Sequence, residues 1–254
     1  MKILRLRLVF AMTGLLASLS PLTQAESAIP APQNNPQQAL EAMPPVVRGD
    51  LLMVRQQYQA AIDAYRQAPL SAETLNRIGM AYHHLLAFDE ARRDYEQALL
   101  IRPNFPEAIN NLGATYFAQG DYRKALRLYR RAFRMMPHSA TIAANLGTAY
   151  FARGKFAAGL RAYEVAFTLD PSVFNADSMH NISGPVPAQE RARQDYCLAE
   201  LFAQADMRDR AIEYLRKAFD EGFDDWGRLS QDKVFNTLRK TSQFAQLMGE
   251  QKLH

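Results

Sequence analysis

The sequence predicts an all-α solenoid of stacked helix–turn–helix units, closed at its C-terminal end by a helical cap. Three observations predict it. The chain repeats itself at a constant step: Gly79, Tyr82, Ala91, Tyr95, Ala98 and Pro103 recur as Gly113, Tyr116, Ala125, Tyr129, Ala132 and Pro137. They recur again, after the same step, as Gly147, Tyr150, Gly159, Tyr163, Ala166 and Pro171. A fixed period of about 34 residues marks a repeat array in which each unit packs mainly on its neighbours. Within each unit the glycine and the following tyrosine share one helix face, and the small, aromatic, small spacing that comes next marks a second helix. Each unit then ends on a proline, which stops that helix and sets the turn into the next.

The elements follow in chain order. Residues 1–25 carry Lys2, Arg5 and Arg7, then an apolar run from Leu8 to about Leu19, then Thr23-Gln24-Ala25. This is the charged, apolar and small-residue pattern of a secretory signal peptide, with cleavage expected after Ala25. The apolar run is shorter than the ~20 residues that a membrane span needs; a retained anchor is the alternative. Residues 26–45 are rich in Pro, Gln, Asn and Ala and read as an extended linker. Residues 46–71 read as a degenerate N-terminal repeat: Ala61, Tyr65 and Ala68 keep the second-helix spacing, whereas the first helix has lost its signature. Three clear repeats follow at 72–105, 106–139 and 140–173. Gly120-Asp121-Tyr122 and Gly154-Lys155-Phe156 mark the turns inside the second and third. Residues 174–190 have loop composition, and 191–222 read as a degenerate fourth repeat. Residues 223–254, with Phe235, Leu238, Phe244 and Leu247, read as a cap over the last apolar face.

The three central repeats resemble the tetratricopeptide repeat. Residues 46–247 as a whole are similar to exported bacterial members of that family, whose C-terminal segment has the counterparts of Asp232, Phe235, Leu238 and Arg239. The chain departs from the pattern in two places. Leu75, Ile109 and Ala143 replace the usual tryptophan, and Gly159 replaces the usual alanine at a cost on the order of 1 kcal/mol of helix stability. The resemblance implies a right-handed solenoid that binds a protein or an extended peptide in its concave groove. The alternative is a scaffold subunit of an envelope assembly, secretion or export machine. The expected location is the periplasm or the exterior.

The groove side of each repeat should be its first helix. Asn76 and Arg77, Asn110 and Asn111, and Asn145 stand just before the repeat glycines. Asparagine offers both a donor and an acceptor, so it can pair with a peptide backbone without reading its sequence. The pattern resembles the asparagine ladder with which some members of the family hold extended peptides. Asparagine is also common at this position when nothing is bound, so a structural role stays open. One turn on, His83, Phe117 and Phe151 should face the same groove and hold apolar anchors; packing against a neighbouring helix is the other reading. Arg77 alone does not make the basic clamp that chaperone-binding members use for a chain terminus.

Other chemistry is not indicated. Losing Lys2, Arg5 and Arg7 with the leader takes the formal charge from +4 to +1, so the basic balance does not argue for nucleic acid. No phosphate-cradling loop or nucleophile elbow is present, and no enzyme activity, small-molecule substrate, cofactor or metal is expected. His83 and His84 are adjacent, whereas two ligands on one helix face need a spacing of four. The lone cysteine, Cys197, falls in an apolar helical pattern and reads as a small core residue. One stripe stands apart: Arg123, Arg127, Arg130, Arg131 and Arg134 lie on one side of the middle repeat's second helix, which also carries Lys124. It reads as a solvated outer face or as a contact for an anionic lipid surface or an acidic partner.

Overall fold

The computed structural model describes residues 36–175 and 188–251. The expected leader, the first half of the expected linker and most of the loop over 174–190 lie outside the described residues. Among those described, all regular structure is helical. A short helix α1 (Pro36–Glu41) opens the chain. It lies inside the segment expected to be an extended linker. The reason is local: Pro36 occupies the first helical position, where no N–H is needed, and Gln37 to Glu41 contain no further proline. Leu40 from this helix packs on the first apolar cluster.

Five helical hairpins follow. They are α2 (Pro45–Val54) with α3 (Tyr58–Tyr65), α4 (Ala72–His84) with α5 (Phe88–Ile101), and α6 (Pro106–Ala118) with α7 (Tyr122–Met135). Then come α8 (Ala140–Phe151) with α9 (Phe156–Leu169), and α10 (Ala188–Gln204) with α11 (Arg208–Asp220). Ser71 and Ser139 cap α4 and α8 by accepting from Thr74 N and Ile142 N, and Asp121 caps α7 by accepting from Lys124 N. These bonds satisfy N–H groups that the first turn of a helix leaves unpaired. The turn inside each hairpin needs one residue with positive φ. Glycine supplies it at Gly120 and Gly154, while Gln56, Leu86 and Asp206 adopt it in the other three hairpins.

One contact holds every hairpin of the repeat region together. Gly49, Gly79, Gly113 and Gly147 each face a tyrosine of their own second helix: Tyr65, Tyr95, Tyr129 and Tyr163. A Cβ at any of the four would meet that ring at 2.9 Å or less. The glycine therefore lets the first helix sit flat on the aromatic ring of the second. Gly49 shows that the first helix of the N-terminal unit has kept this part of the signature. The fifth hairpin uses Ala199 and Leu215 at the same separation, both fully buried. Leu75, Ile109 and Ala143, at the position where tryptophan is usual, are buried.

Each second helix packs on the first helix of the next hairpin, α3 on α4, α5 on α6, α7 on α8 and α9 on α10, and successive first helices also touch, α4 on α6, α6 on α8 and α8 on α10. The closer approach on that side makes it the inner, concave one. After α11 the chain forms α12 (Trp226–Gln231), two 3-10 turns (Lys233–Phe235 and Leu238–Lys240) and α13 (Ser242–Gln251). Phe223, Leu229, Phe235, Leu238, Phe244 and Leu247 from this segment join one continuous core with α10 and α11. Burying a large apolar side chain contributes ~1.5–3 kcal/mol, so six of them hold the segment firmly on the last hairpin.

Candidate partner-binding face

The asparagines before the repeat glycines meet one another across the stack. Asn111 Nδ2 donates to Asn76 Oδ1 at 3.0 Å, and Asn145 Nδ2 donates to Asn110 Oδ1 at 2.9 Å. Asn110 Nδ2 in turn donates to Asn111 Oδ1 at 3.3 Å. Each asparagine aligned with Arg77 thus reaches back to the preceding first helix. Asn145 is only 3% exposed. These carboxamides lock neighbouring repeats, and each spends a donor inside the protein. Buried polar groups need such partners, so the ladder has a structural role in this fold.

The aromatic residues one turn on point inward. Phe117 is 2% exposed and packs in a cluster with Ala125, Leu126 and Tyr129. Phe151 is fully buried, with its ring 5.1 Å from that of Tyr163, and leans over Gly159. The physical reason is register. Positions four apart share a helix face, and the glycine's face is the one turned to the second helix. Phe117 follows Gly113 into the core, and Phe151 follows Gly147. His83 follows Gly79 and is half-buried. Its Nδ1 lies 3.1 Å from Thr115 Oγ1, whose own proton goes to the carbonyl of Asn111 at 3.0 Å. That leaves Nδ1 as the donor. Burial, with some help from His84, lowers the His83 pKa to about 4, so the ring is neutral near pH 7.

What remains open on the concave side lies toward the N-terminal half. Asn145 and Thr148 of α8 are buried where α8 packs on α9 and α10. Between α2, α4 and the start of α6 a cleft of about 400 Å³ is lined by Asp50, Met53, Asn76, Arg77, Met80, Phe105 and Glu107, with Glu73 and Tyr65 at its edge. Arg77 Nε pairs with Asp50 Oδ1 at 3.1 Å, and the same oxygen accepts from the Tyr65 hydroxyl at 2.7 Å. Glu73 pairs with Arg102. Its carboxyl is held below the usual range first by a backbone hydrogen bond and then by Arg102. The lining therefore combines two exposed or half-exposed methionines and an aromatic edge with three carboxylates, of which Asp50 is paired with Arg77 and Glu73 with Arg102. Sequence reasoning found Asn76 and Arg77 and missed the rest. The signal was there at Met80: the two following repeats place Ala114 and Thr148 at that position.

A second polar cluster sits where the C-terminal segment meets α10. Glu200 Oε1 accepts from Arg228 at 2.7 Å, and the Tyr196 hydroxyl donates to Asp232 Oδ2 at 3.4 Å. Burial raises the Glu200 carboxyl to about 7, and burial likewise raises Asp195 to about 7. Cys197 is buried in the same core, and burial pushes its thiol up to about 12. A thiol held in that form is a poor nucleophile. Among the described residues no group of three or more His, Cys, Asp or Glu side chains could hold a metal ion.

A curved array of two-helix units with a partly open inner cleft defines a helical-repeat interaction module. The tetratricopeptide repeat profile matches residues 70–137 and 104–172. Residues 70–172 are therefore tetratricopeptide repeats. Solved structures similar to it include MamA, at 21% identity over 68% of this chain and 93% of that one, with a TM-score of 0.47. Another is TTC0263, a thermophilic TPR protein in Thermus thermophilus, at 17% identity over 80% and 97%, with a TM-score of 0.49. A third is YrrB, described as a TPR protein with an unusual peptide-binding site, at 18% identity over 81% and 95%, with a TM-score of 0.44. No curated protein matches the chain.

Proposed function

We propose that this protein is an exported adaptor whose concave cleft takes a peptide-like segment of a partner protein. The observation that carries the reading is the chemistry of the cleft. Met53, Met80 and Phe105 offer apolar contact, and Asp50, Glu73 and Glu107 place carboxylates around it, outnumbering the guanidiniums of Arg77 and Arg102 that pair with the first two. A segment with an apolar anchor flanked by lysine or arginine fits this lining. Methionine is well suited to such a role, because its unbranched side chain adapts to different anchors. Asn76 and Arg77 form the floor; Asn110, Asn111 and Asn145 hold the repeats in the register that shapes it. Export follows from the charged start, apolar run and Thr23-Gln24-Ala25, and N-terminal sequencing of the envelope protein should begin near Glu26.

The test is a selection of displayed random peptides on the immobilised full chain. Enriched sequences should carry an apolar residue beside basic ones, and Met80→Arg should abolish their binding. Met80 is 37% exposed, so the fold tolerates the change. Peptides that bind the Met80→Arg protein as well as the parent would place the site elsewhere.

A further inference from the structure

We propose that the convex face of α7 docks the protein on a membrane surface rich in anionic phospholipid. The helix carries six basic side chains and no acidic one. Arg123, Arg127, Arg130 and Arg134 are exposed and form no hydrogen bond or ion pair with another described residue. Their spacing along the helix keeps them within a narrow arc, so they form a straight ridge roughly 16 Å long. The equivalent helix one repeat earlier is different. On α5, Arg92 and Arg93 pair with Asp89 and Glu90 within the same helix turn. The middle repeat thus leaves unpaired the charge that its neighbour balances.

The form of this surface favours a lipid layer over a protein. A ridge on a convex face demands from a protein partner a preformed acidic groove of matching length. A fluid headgroup layer needs none, because anionic lipids gather laterally around the guanidinium groups. Leu100 and Ile101, at the end of α5 beside the Arg134 end of the ridge, are 82% and 54% exposed. Leu100 occupies the repeat position of Arg134, one unit earlier. They supply apolar contact at the depth where the acyl chains begin. The helix itself does not insert, since Ala125, Leu126, Tyr129 and Ala132 on its other side are buried in the stack. Attachment is therefore peripheral and sensitive to salt, and it leaves the concave cleft facing away from the membrane.

The test is co-sedimentation of the full chain with vesicles of phosphatidylcholine alone and of phosphatidylcholine with phosphatidylglycerol, at low and high salt. The account expects phosphatidylglycerol-dependent binding that high salt reverses. Replacing Arg123, Arg127, Arg130 and Arg134 with Gln should weaken it by at least about 100-fold, given the contribution of each basic residue near an anionic surface. Replacing Arg153, Lys155 and Lys240, which are exposed elsewhere, should leave it within a few-fold of the parent. The residues changed point outward, so circular dichroism and melting should match the parent. Binding carried by the N-terminal segment, whose apolar run follows Lys2, Arg5 and Arg7, would be unchanged in the four-Arg variant; finding only that would overturn the proposal. So would a parent that ignores the anionic vesicles while binding polyglutamate or duplex DNA through the same arginines.

Discussion

Substituting Gly147 with alanine tests the contact on which the repeat geometry depends. A Cβ at this position would lie 2.3 Å from Cδ1 and 2.6 Å from Cε1 of Tyr163, and 3.2 Å from the carbonyl oxygen of Gly159. The ring has no easy way out. Tyr163 is fully buried, its hydroxyl is 2.8 Å from Thr148 Oγ1, and its ring centroid is 5.1 Å from Phe151 and 4.8 Å from Phe174. Overpacking a site of this kind costs about 1–3 kcal/mol. Alanine returns roughly 0.8–1 kcal/mol of helix propensity. The net effect should be a loss of about 1–2 kcal/mol. Gly249 provides the internal control: it lies in α13, and a Cβ there would meet nothing within 4 Å. Gly249→Ala should therefore stabilise by up to about 1 kcal/mol. Urea unfolding of both variants measures the contrast, and a cycle with Tyr163→Leu should show strong coupling to Gly147→Ala, because removing the ring opens the space. If Gly147→Ala stabilised as Gly249→Ala does, or if its effect added independently to that of Tyr163→Leu, the reasoning would be refuted.

The other predictions concern the amide ladder, the cap and pH. Asn145→Ala should destabilise by about 1–3 kcal/mol, since it strips the buried Asn110 Oδ1 of its donor, whereas the more exposed Asn111→Ala should cost only about 0.5–1.5 kcal/mol; equal melting of the two variants would contradict the burial argument. Deleting residues 223–254 should lower the melting temperature and cause aggregation, because Leu198, Leu215 and their neighbours lose the cover of Phe235, Leu238 and Leu247; an unchanged monomer would mean that the segment packs on nothing. Asp195 and Glu200 are raised to about 7 by burial, so the folded state keeps protons that the unfolded chain releases. Their stabilising contribution is complete below about pH 4, the ordinary carboxylate range, and is lost as pH rises through about 7. Melting temperature should fall over that interval, and less steeply in the Asp195→Asn, Glu200→Gln double variant; parallel curves would rule this source out.

The constant step of the repeats was legible because it is carried by residues with backbone consequences. Gly79, Gly113 and Gly147 admit a buried ring, and Pro103, Pro137 and Pro171 stop a helix. The N-terminal unit hid its glycine for a simple reason. Gly49 and Gly79 are less than one full period apart, because α3 has 8 residues where α5 has 14, so a search at the fixed step passes over it. Phe117 and Phe151 illustrate a different gap. Helical spacing says that they share the face of the repeat glycine, but only the structure shows that this face looks inward. Asn145 was legible as a polar first-helix residue; that it spends its amide on Asn110 depends on how two repeats stack, which no single period encodes. The cleft was least legible, since Asp50, Met53, Met80 and Phe105 come from separate stretches of chain and share no motif.

The most direct test of the concave cleft as the partner site is photo-cross-linking in the native cell. A photoreactive amino acid placed at Met80 samples the cleft, and the same residue at Leu100 samples the convex side. The account predicts a discrete polypeptide adduct from Met80, lost on Arg77→Glu, which disturbs the cleft floor, and no polypeptide adduct from Leu100. An adduct from Leu100 alone, with Met80 silent, would contradict it and move the partner to the outer face.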